Sequence, residues 1–273
     1  MHASKVAFIT GVARGQGRAH ALKLATQGIG IIGVDICADI DSMDYPNASP
    51  EDLQETIELV EKEGGEIVAR PADVRDPEAL DAAVEAGLDR FGRIDILVAN
   101  AGITRLSAGG DRRSIWRDII DVNLTGIWNT VEAVLPAIRA GSRGGSIVFT
   151  SSSAGLKGTG SDKAGAQAYT AAKRGMVGLM QNLALEYAPE SIRVNTIHPT
   201  GVISGMTQNE AMDKLHAAAA AGEKTTIGAM QNALPISILD AEDIANAVAW
   251  LVSDEAYYVT GISMPLDAGF TVR

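Results

Sequence analysis

Tyr169 and Lys173 stand four positions apart in Tyr169-Thr170-Ala171-Ala172-Lys173, a stretch of small residues suited to a helix. On a helix, positions i and i+4 share a face, so a phenol and an ammonium would address one site. A tyrosine titrates near pH ~10 in water and is a poor base at neutrality. A cation beside it favours the phenolate, which makes the pair a candidate general acid/base for an alcohol or carbonyl oxygen. Alone the spacing is weak evidence, because a half-buried tyrosine beside a snorkelling lysine has it too. Further polar residues give it weight. Asn100-Ala101-Gly102 and Ser151-Ser152-Ser153 each follow a short apolar run, and Asn123 interrupts a helical pattern that disfavours asparagine. Turn chemistry, capping and a satisfied core amide would account for each singly. Jointly they fall at segment ends that would border one crevice.

A second constellation lies near the start of the chain. Thr10-Gly11-Val12-Ala13-Arg14-Gly15-Gln16-Gly17 separates an apolar run from a helical pattern. Glycines there permit a tight turn and close backbone approach, and the helix N-terminus offers free N–H groups to a pyrophosphate. Asp35 ends the next apolar run, about 20 residues on, where a carboxylate accepts from a ribose hydroxyl. It would repel a 2'-phosphate, and Ile36 after it offers no cation. Arg14 dissents, since a basic group in the turn could serve NADP; its ordinary reading is a surface charge or a partner for Asp35. The balance favours NAD.

The elements that must hold these residues alternate along nearly the whole chain. Strand-like runs are expected at Val6 to Thr10, Gly30 to Asp35, Glu66 to Ala69, Ile94 to Ala99, Ser146 to Thr150, Arg193 to Ile197 and Ile262 to Leu266. Helices are expected at Gly17 to Gln27, Glu51 to Lys62, Asp76 to Phe91, Ser114 to Arg139, Ala166 to Tyr187 and Ala241 to Val252, with Pro136 kinking or ending the fourth. A polar insert runs from Ala38 to Pro50, and Thr200 to Leu239 is an irregular or helical excursion. Runs apolar on both faces, alternating with helices, imply an α/β fold: a single doubly wound Rossmann-type domain with a seven-stranded parallel sheet and helices on both faces. No linker divides residues 1–273.

Composition narrows the classes. A net charge of -11 argues against nucleic acid or anionic membrane as partner. Cys37 is the single cysteine, so no intrachain disulfide can form. With no signal-like N-terminus and no span of about 20 apolar residues, the expected setting is soluble and cytoplasmic. His20 and His216 lack partners at metal-ligand spacing, so no metal is expected. His198 reads as a loop or packing residue, because the acid/base role is already filled.

Taken together, these motifs resemble the short-chain dehydrogenase/reductase family over nearly the whole chain. Thr10 to Gly17 is similar to its TGxxxGxG turn, Asn100-Ala101-Gly102 to its NAG motif, and Tyr169/Lys173 to its YxxxK pair. The resemblance implies an NAD-dependent oxidoreductase interconverting a secondary alcohol and its ketone. Tyr169 would exchange the proton, Ser152 would hold the substrate oxygen, Lys173 would bind the nicotinamide ribose, and Asn123 would position a water. Ser151 or Ser153 could stand in for Ser152, although the register from Ser146 favours the latter. The implied cofactor contacts are Gly11, Ala13, Arg14, Gln16, Gly17, Asp35, Ile36, the adenine-contacting pair Asp73-Val74, Asn100, Ala101, Gly102, Tyr169 and Lys173. After Arg193-Val194-Asn195, Pro199, Val202 and Ser204 would face the nicotinamide. A homotetramer is implied as well.

Val34-Asp35-Ile36-Cys37 with its following insert, His198-Pro199-Thr200 and Leu266-Asp267-Ala268-Gly269 are similar to the carveol dehydrogenase-like, mycofactocin-coupled branch. That likeness implies an apolar terpenoid or cyclic alcohol, an NAD that does not exchange, and mycofactocin as electron carrier. Alternatives are an ordinary exchangeable-NAD(P) carbonyl reductase, a dehydrogenase of another substrate, or a non-catalytic NAD sensor. Met206, Met212 and Met230 suit a substrate lid at about 200–239, or else a packed helical subdomain.

Overall fold

The computed structural model describes residues 5–158, 160–223, 225 and 231–273. Seven strands form its sheet: β1 (Lys5–Thr10), β2 (Ile29–Asp35), β3 (Ile67–Pro71), β4 (Ile96–Ala99), β5 (Gly145–Thr150), β6 (Ile192–Pro199) and β7 (Ser263–Leu266). Every neighbouring pair is parallel, in the order β3-β2-β1-β4-β5-β6-β7. The order reverses between β1 and β4, which opens a crevice at their carboxyl ends.

Helices α1 (Gly15–Ala25), α2 (Pro50–Lys62), α3 (Pro77–Phe91), α4 (Arg112–Ile120), α5 (Gly126–Ala140), α6 (Ala164–Tyr187), α7 (Glu210–Ala220) and α8 (Ala241–Val252) complete the alternation. Strand side chains point alternately to two cores. Val6 and Phe8 of β1 join α3 to α6, whereas Ala7 and Ile9 join α1, α2 and α8. The fold is therefore the expected single doubly wound domain. Acidic starts agree too: Ser49 and Asp52 close a capping box on α2, and Asp76 caps α3.

One expected element divides. The helix read as Ser114 to Arg139 is α4, then a π turn over Asp121–Thr125, then α5. The wider π turn accommodates one extra residue and rotates α5 relative to α4, and Asn123 lies within it. Pro136 does not end α5, which runs on to Ala140. In the Thr200 to Leu239 excursion, α7 buries no side chain, and a bridge between Val202 and Leu239 ties the two ends together. Met230 of the expected lid lies outside the described residues, as does Thr159.

Candidate active site

The crevice begins at the Gly-rich turn. Gly11 has φ +68°, and its N–H donates to the Val34 carbonyl at 2.8 Å, binding the turn to the end of β2. A Cβ on Gly17 would sit 1.8 Å from the Gly11 carbonyl oxygen, so only glycine lets α1 start this close to the turn. Thr10, at the end of β1, turns its hydroxyl oxygen to the backbone N–H groups of Asn100 and Ala101, both at 3.0 Å. Asn100 Nδ2 donates back to the Thr10 carbonyl at 3.2 Å. These bonds lock the loops after β1 and β4 together across the switch point.

Asp35 closes the far end. Its carboxylate accepts from the N–H groups of Ala13 (3.0 Å) and Cys37 (3.4 Å). Burial raises its pKa above the ordinary carboxylate value, while those backbone donors and the Arg14 charge oppose the rise. Arg14 donates to the Pro46 carbonyl at 2.6 Å, so its guanidinium is fastened to the insert after β2. The insert is tied to the opposite wall as well. Tyr45 Oη accepts from the Thr104 N–H at 3.2 Å, Asp44 pairs with Arg105 at 3.6 Å and with the Ser107 hydroxyl, and Arg105 donates to the Ser42 carbonyl. Burial pushes the Tyr45 phenol up to about 12.

Gly11, Arg14, Gln16, Asp35, Ile36, Asp73, Val74, Asn100, Ala101, Gly102 and Ser204 line one groove, with Tyr45 and Met206. Gln16 Oε1 is buried there without a protein donor, an acceptor available to a polar ligand. A long glycine-cradled groove ending in a buried carboxylate fits a dinucleotide without a 2'-phosphate. Asp73 is gripped by Arg75 at 2.6 Å, and the Val74 carbonyl accepts from Asn129 at 3.0 Å. Val202 is buried and Pro199 ends β6, and neither is among the residues that line the groove.

The polar cluster adjoins this groove. A Cβ on Gly102 would lie 2.9 Å from Asn123 Oδ1 and 3.5 Å from Lys173 Nζ, so both side chains abut the loop after β4. Lys173 is buried and donates to the Thr150 carbonyl at 2.7 Å, with Nζ 5.4 Å from the Tyr169 ring centroid. Desolvation lowers the Lys173 pKa to about 7. Tyr169 differs from the expectation: burial raises its pKa, and the opposing hydrogen bond comes from Ser152. Of the three serines, Ser152 is the one whose side chain acts on the Tyr169 phenol. Ser151 instead donates to the Lys173 carbonyl at 2.9 Å, and Ser153 is buried in the turn that comes next.

Asn123 spends its side chain on Ile103, accepting from that N–H at 2.8 Å and donating to that carbonyl at 2.7 Å. His198 is buried, with Nδ1 2.8 Å from the Ser152 carbonyl oxygen and Nε2 2.8 Å from Thr196 Oγ1. Sequence reasoning did not assign Thr10, Tyr45 or His198 to the site. Thr10 borders the Gly-rich turn and Tyr45 is the lone aromatic of a polar insert, signals that could have marked both.

A short chain dehydrogenase family model matches residues 5–215. The chain is 53% identical to an uncharacterised oxidoreductase of Mycobacterium tuberculosis, over 97% of this chain and 96% of that one. It is 44% identical to (-)-trans-carveol dehydrogenase of Rhodococcus erythropolis, over 98% of each chain. Among solved structures, a carveol dehydrogenase from Mycobacterium avium in complex with NAD superposes with a TM-score of 0.90, at 44% identity over 99% of both chains.

Proposed function

The chain belongs to the short-chain dehydrogenases, and from that premise we propose that it interconverts an apolar, carveol-like secondary alcohol and its ketone, with NAD as hydride carrier and Tyr169 as general acid/base. The observation that carries this reading is the continuity of two sites: the groove ending at Asp35 adjoins the Ser152, Tyr169 and Lys173 cluster. The carveol dehydrogenases among its relatives support both the alcohol and NAD.

Each residue then has a task. NAD supplies one thing, a nicotinamide carbon that accepts the hydride from the carbinol carbon. The Ser152 hydroxyl holds the substrate oxygen, and the Tyr169 phenolate takes its proton during oxidation. Lys173 holds the nicotinamide ribose and, when charged, stabilises that phenolate. Asn123 orders the turn behind Lys173, where a relay water would sit. Residues 200–239 form a substrate lid, which the exposed face of α7 supports.

The reading extends to a cofactor that stays bound between turnovers, with mycofactocin as its oxidant. The insert supports this, because Arg14, Tyr45 and Asp44 fasten it to both groove walls. Self-association as a homotetramer is part of the reading too; Trp116, Trp128 and Tyr258 are exposed apolar surface that partners would cover. Its setting is the cytoplasm, in keeping with a lone free cysteine.

Two measurements test the proposal. Tyr169→Phe should abolish oxidation of carveol with an artificial electron acceptor while retaining NAD; near-normal turnover would remove Tyr169 as the acid/base. Denaturing the purified protein should release NAD close to one per chain. Cofactor-free protein that turns over only with added NAD would leave the dehydrogenase reading intact and refute the resident cofactor.

A further inference from the structure

We infer that His198 is a positioning residue for the reaction: its imidazole fixes the backbone carbonyl of Ser152, and so the hydroxyl that Ser152 turns toward Tyr169. This rests on the reading of Ser152 and Tyr169 above. The ladder between β5 and β6 ends at the pair Thr150 and Ile197, with one further bond from the Ser151 N–H to the Ile197 carbonyl at 2.9 Å. Beyond it the chain turns away from the sheet at Ser152, where no strand N–H remains to hold it. The His198 ring takes over that function from the next position of β6.

Chemistry fixes the direction of each bond. A carbonyl only accepts, so Nδ1, 2.8 Å from the Ser152 oxygen, carries the ring hydrogen. A neutral ring then leaves Nε2 bare, and the Thr196 hydroxyl at 2.8 Å donates to it. Burial lowers the His198 pKa, which keeps the ring in that neutral form. With both nitrogens engaged and no exposed surface, the ring has no route to exchange a proton with substrate.

The consequence falls on the Ser152 hydroxyl. Its carbonyl accepts from His198 and from the Gly155 N–H at 2.8 Å, and its hydroxyl oxygen accepts from the Ala154 N–H at 3.1 Å. Three bonds thus set the orientation of one residue, leaving the hydroxyl hydrogen for the side of the site where the Tyr169 phenol lies. Loss of the imidazole frees the end of β5 from β6 and lets that hydroxyl drift, and displacements on the 1 Å scale cost up to about 100-fold in rate.

The test compares His198→Leu with His198→Asn, whose Nδ2 can reach the place of Nδ1. Carveol oxidation should lose about 10- to 100-fold in kcat in His198→Leu, with KM and bound NAD changed less than about twofold. His198→Asn should recover most of that loss. A kcat within about twofold of wild type in His198→Leu, or an equal loss in both variants, would overturn the inference. Independently of variant folding, nitrogen NMR of labelled histidine should show the wild-type His198 ring protonated at Nδ1 alone; the Nε2–H tautomer would also overturn it. Tyr169→Phe, run alongside, separates the two levels: if it stays active, the reading of the site fails whatever His198 does.

Discussion

On the proposed reading Asp35 is the selectivity element of the cofactor site, a charge held at a cost. The residue is 8% exposed, burial raises its pKa, and the Ala13 and Cys37 N–H groups and the Arg14 cation oppose that rise by favouring the ionised form. Those same N–H groups also shape the turn, so the residue serves structure and recognition together. Asp35→Asn keeps an acceptor for Ala13 and removes the charge. NAD affinity should fall about tenfold, the scale of one charge-assisted hydrogen bond, while NADP, no longer repelled, should bind more tightly. Titrating cofactor-stripped protein with NADH and NADPH checks this. An unchanged preference would mean that discrimination lies elsewhere. Arg14 donates to the Pro46 carbonyl, which directs its guanidinium to the insert after β2.

At the scale of elements, the π turn over Asp121–Thr125 places a helix residue in the site. The extra residue turns Asn123 toward Ile103 while α4 and α5 keep their own faces buried. Gly126 begins α5 against the loop after β3, where a Cβ would fall 2.5 Å from Val74 Cγ2. Gly126→Ala should therefore overpack that contact and destabilise the fold by about 1–3 kcal/mol. Because Val74 also lines the groove, NAD binding should weaken in step. Chemical denaturation with parallel cofactor titration would show it, and unaltered values for both would dismiss the contact. The same elements mark what a sequence discloses. Strands, helices and the residues at their ends follow from periodicity, so the places of Asp35, Asn100 and the three serines after β5 are legible, and Tyr169 and Lys173 share a helix face by their spacing. Contacts between segments distant along the chain obey no such spacing. Asn123 with Ile103, Arg14 with Pro46, and His198 with Ser152 lie 20, 32 and 46 positions apart. The π turn was hidden for a related reason, since one inserted residue barely disturbs a helical pattern while it rotates the whole of the next helix.

The stability of the whole molecule depends on a histidine far from the reaction. His20 lies on the inner face of α1 among Ala21, Leu24 and Ala25, in the layer that α1 shares with α8. It is fully buried, and neither ring nitrogen has a protein hydrogen-bond partner among the described residues. Desolvation lowers its pKa from 6.5 to about 3. Between those two pH values the unfolded chain binds a proton that the folded one refuses, so stability falls as the pH drops through that window. The slope approaches about 1.4 kcal/mol per pH unit. Above the unfolded value the linkage vanishes, leaving only the desolvation cost of an unpaired imidazole, about 1–3 kcal/mol. His20→Leu removes both terms while keeping an apolar side chain in the layer. Thermal melts should therefore find the variant at least as stable as wild type at pH 7.5, with an advantage that grows by pH 5. A gap of constant size at the two pH values would show that His20 is not the group that couples folding to acid.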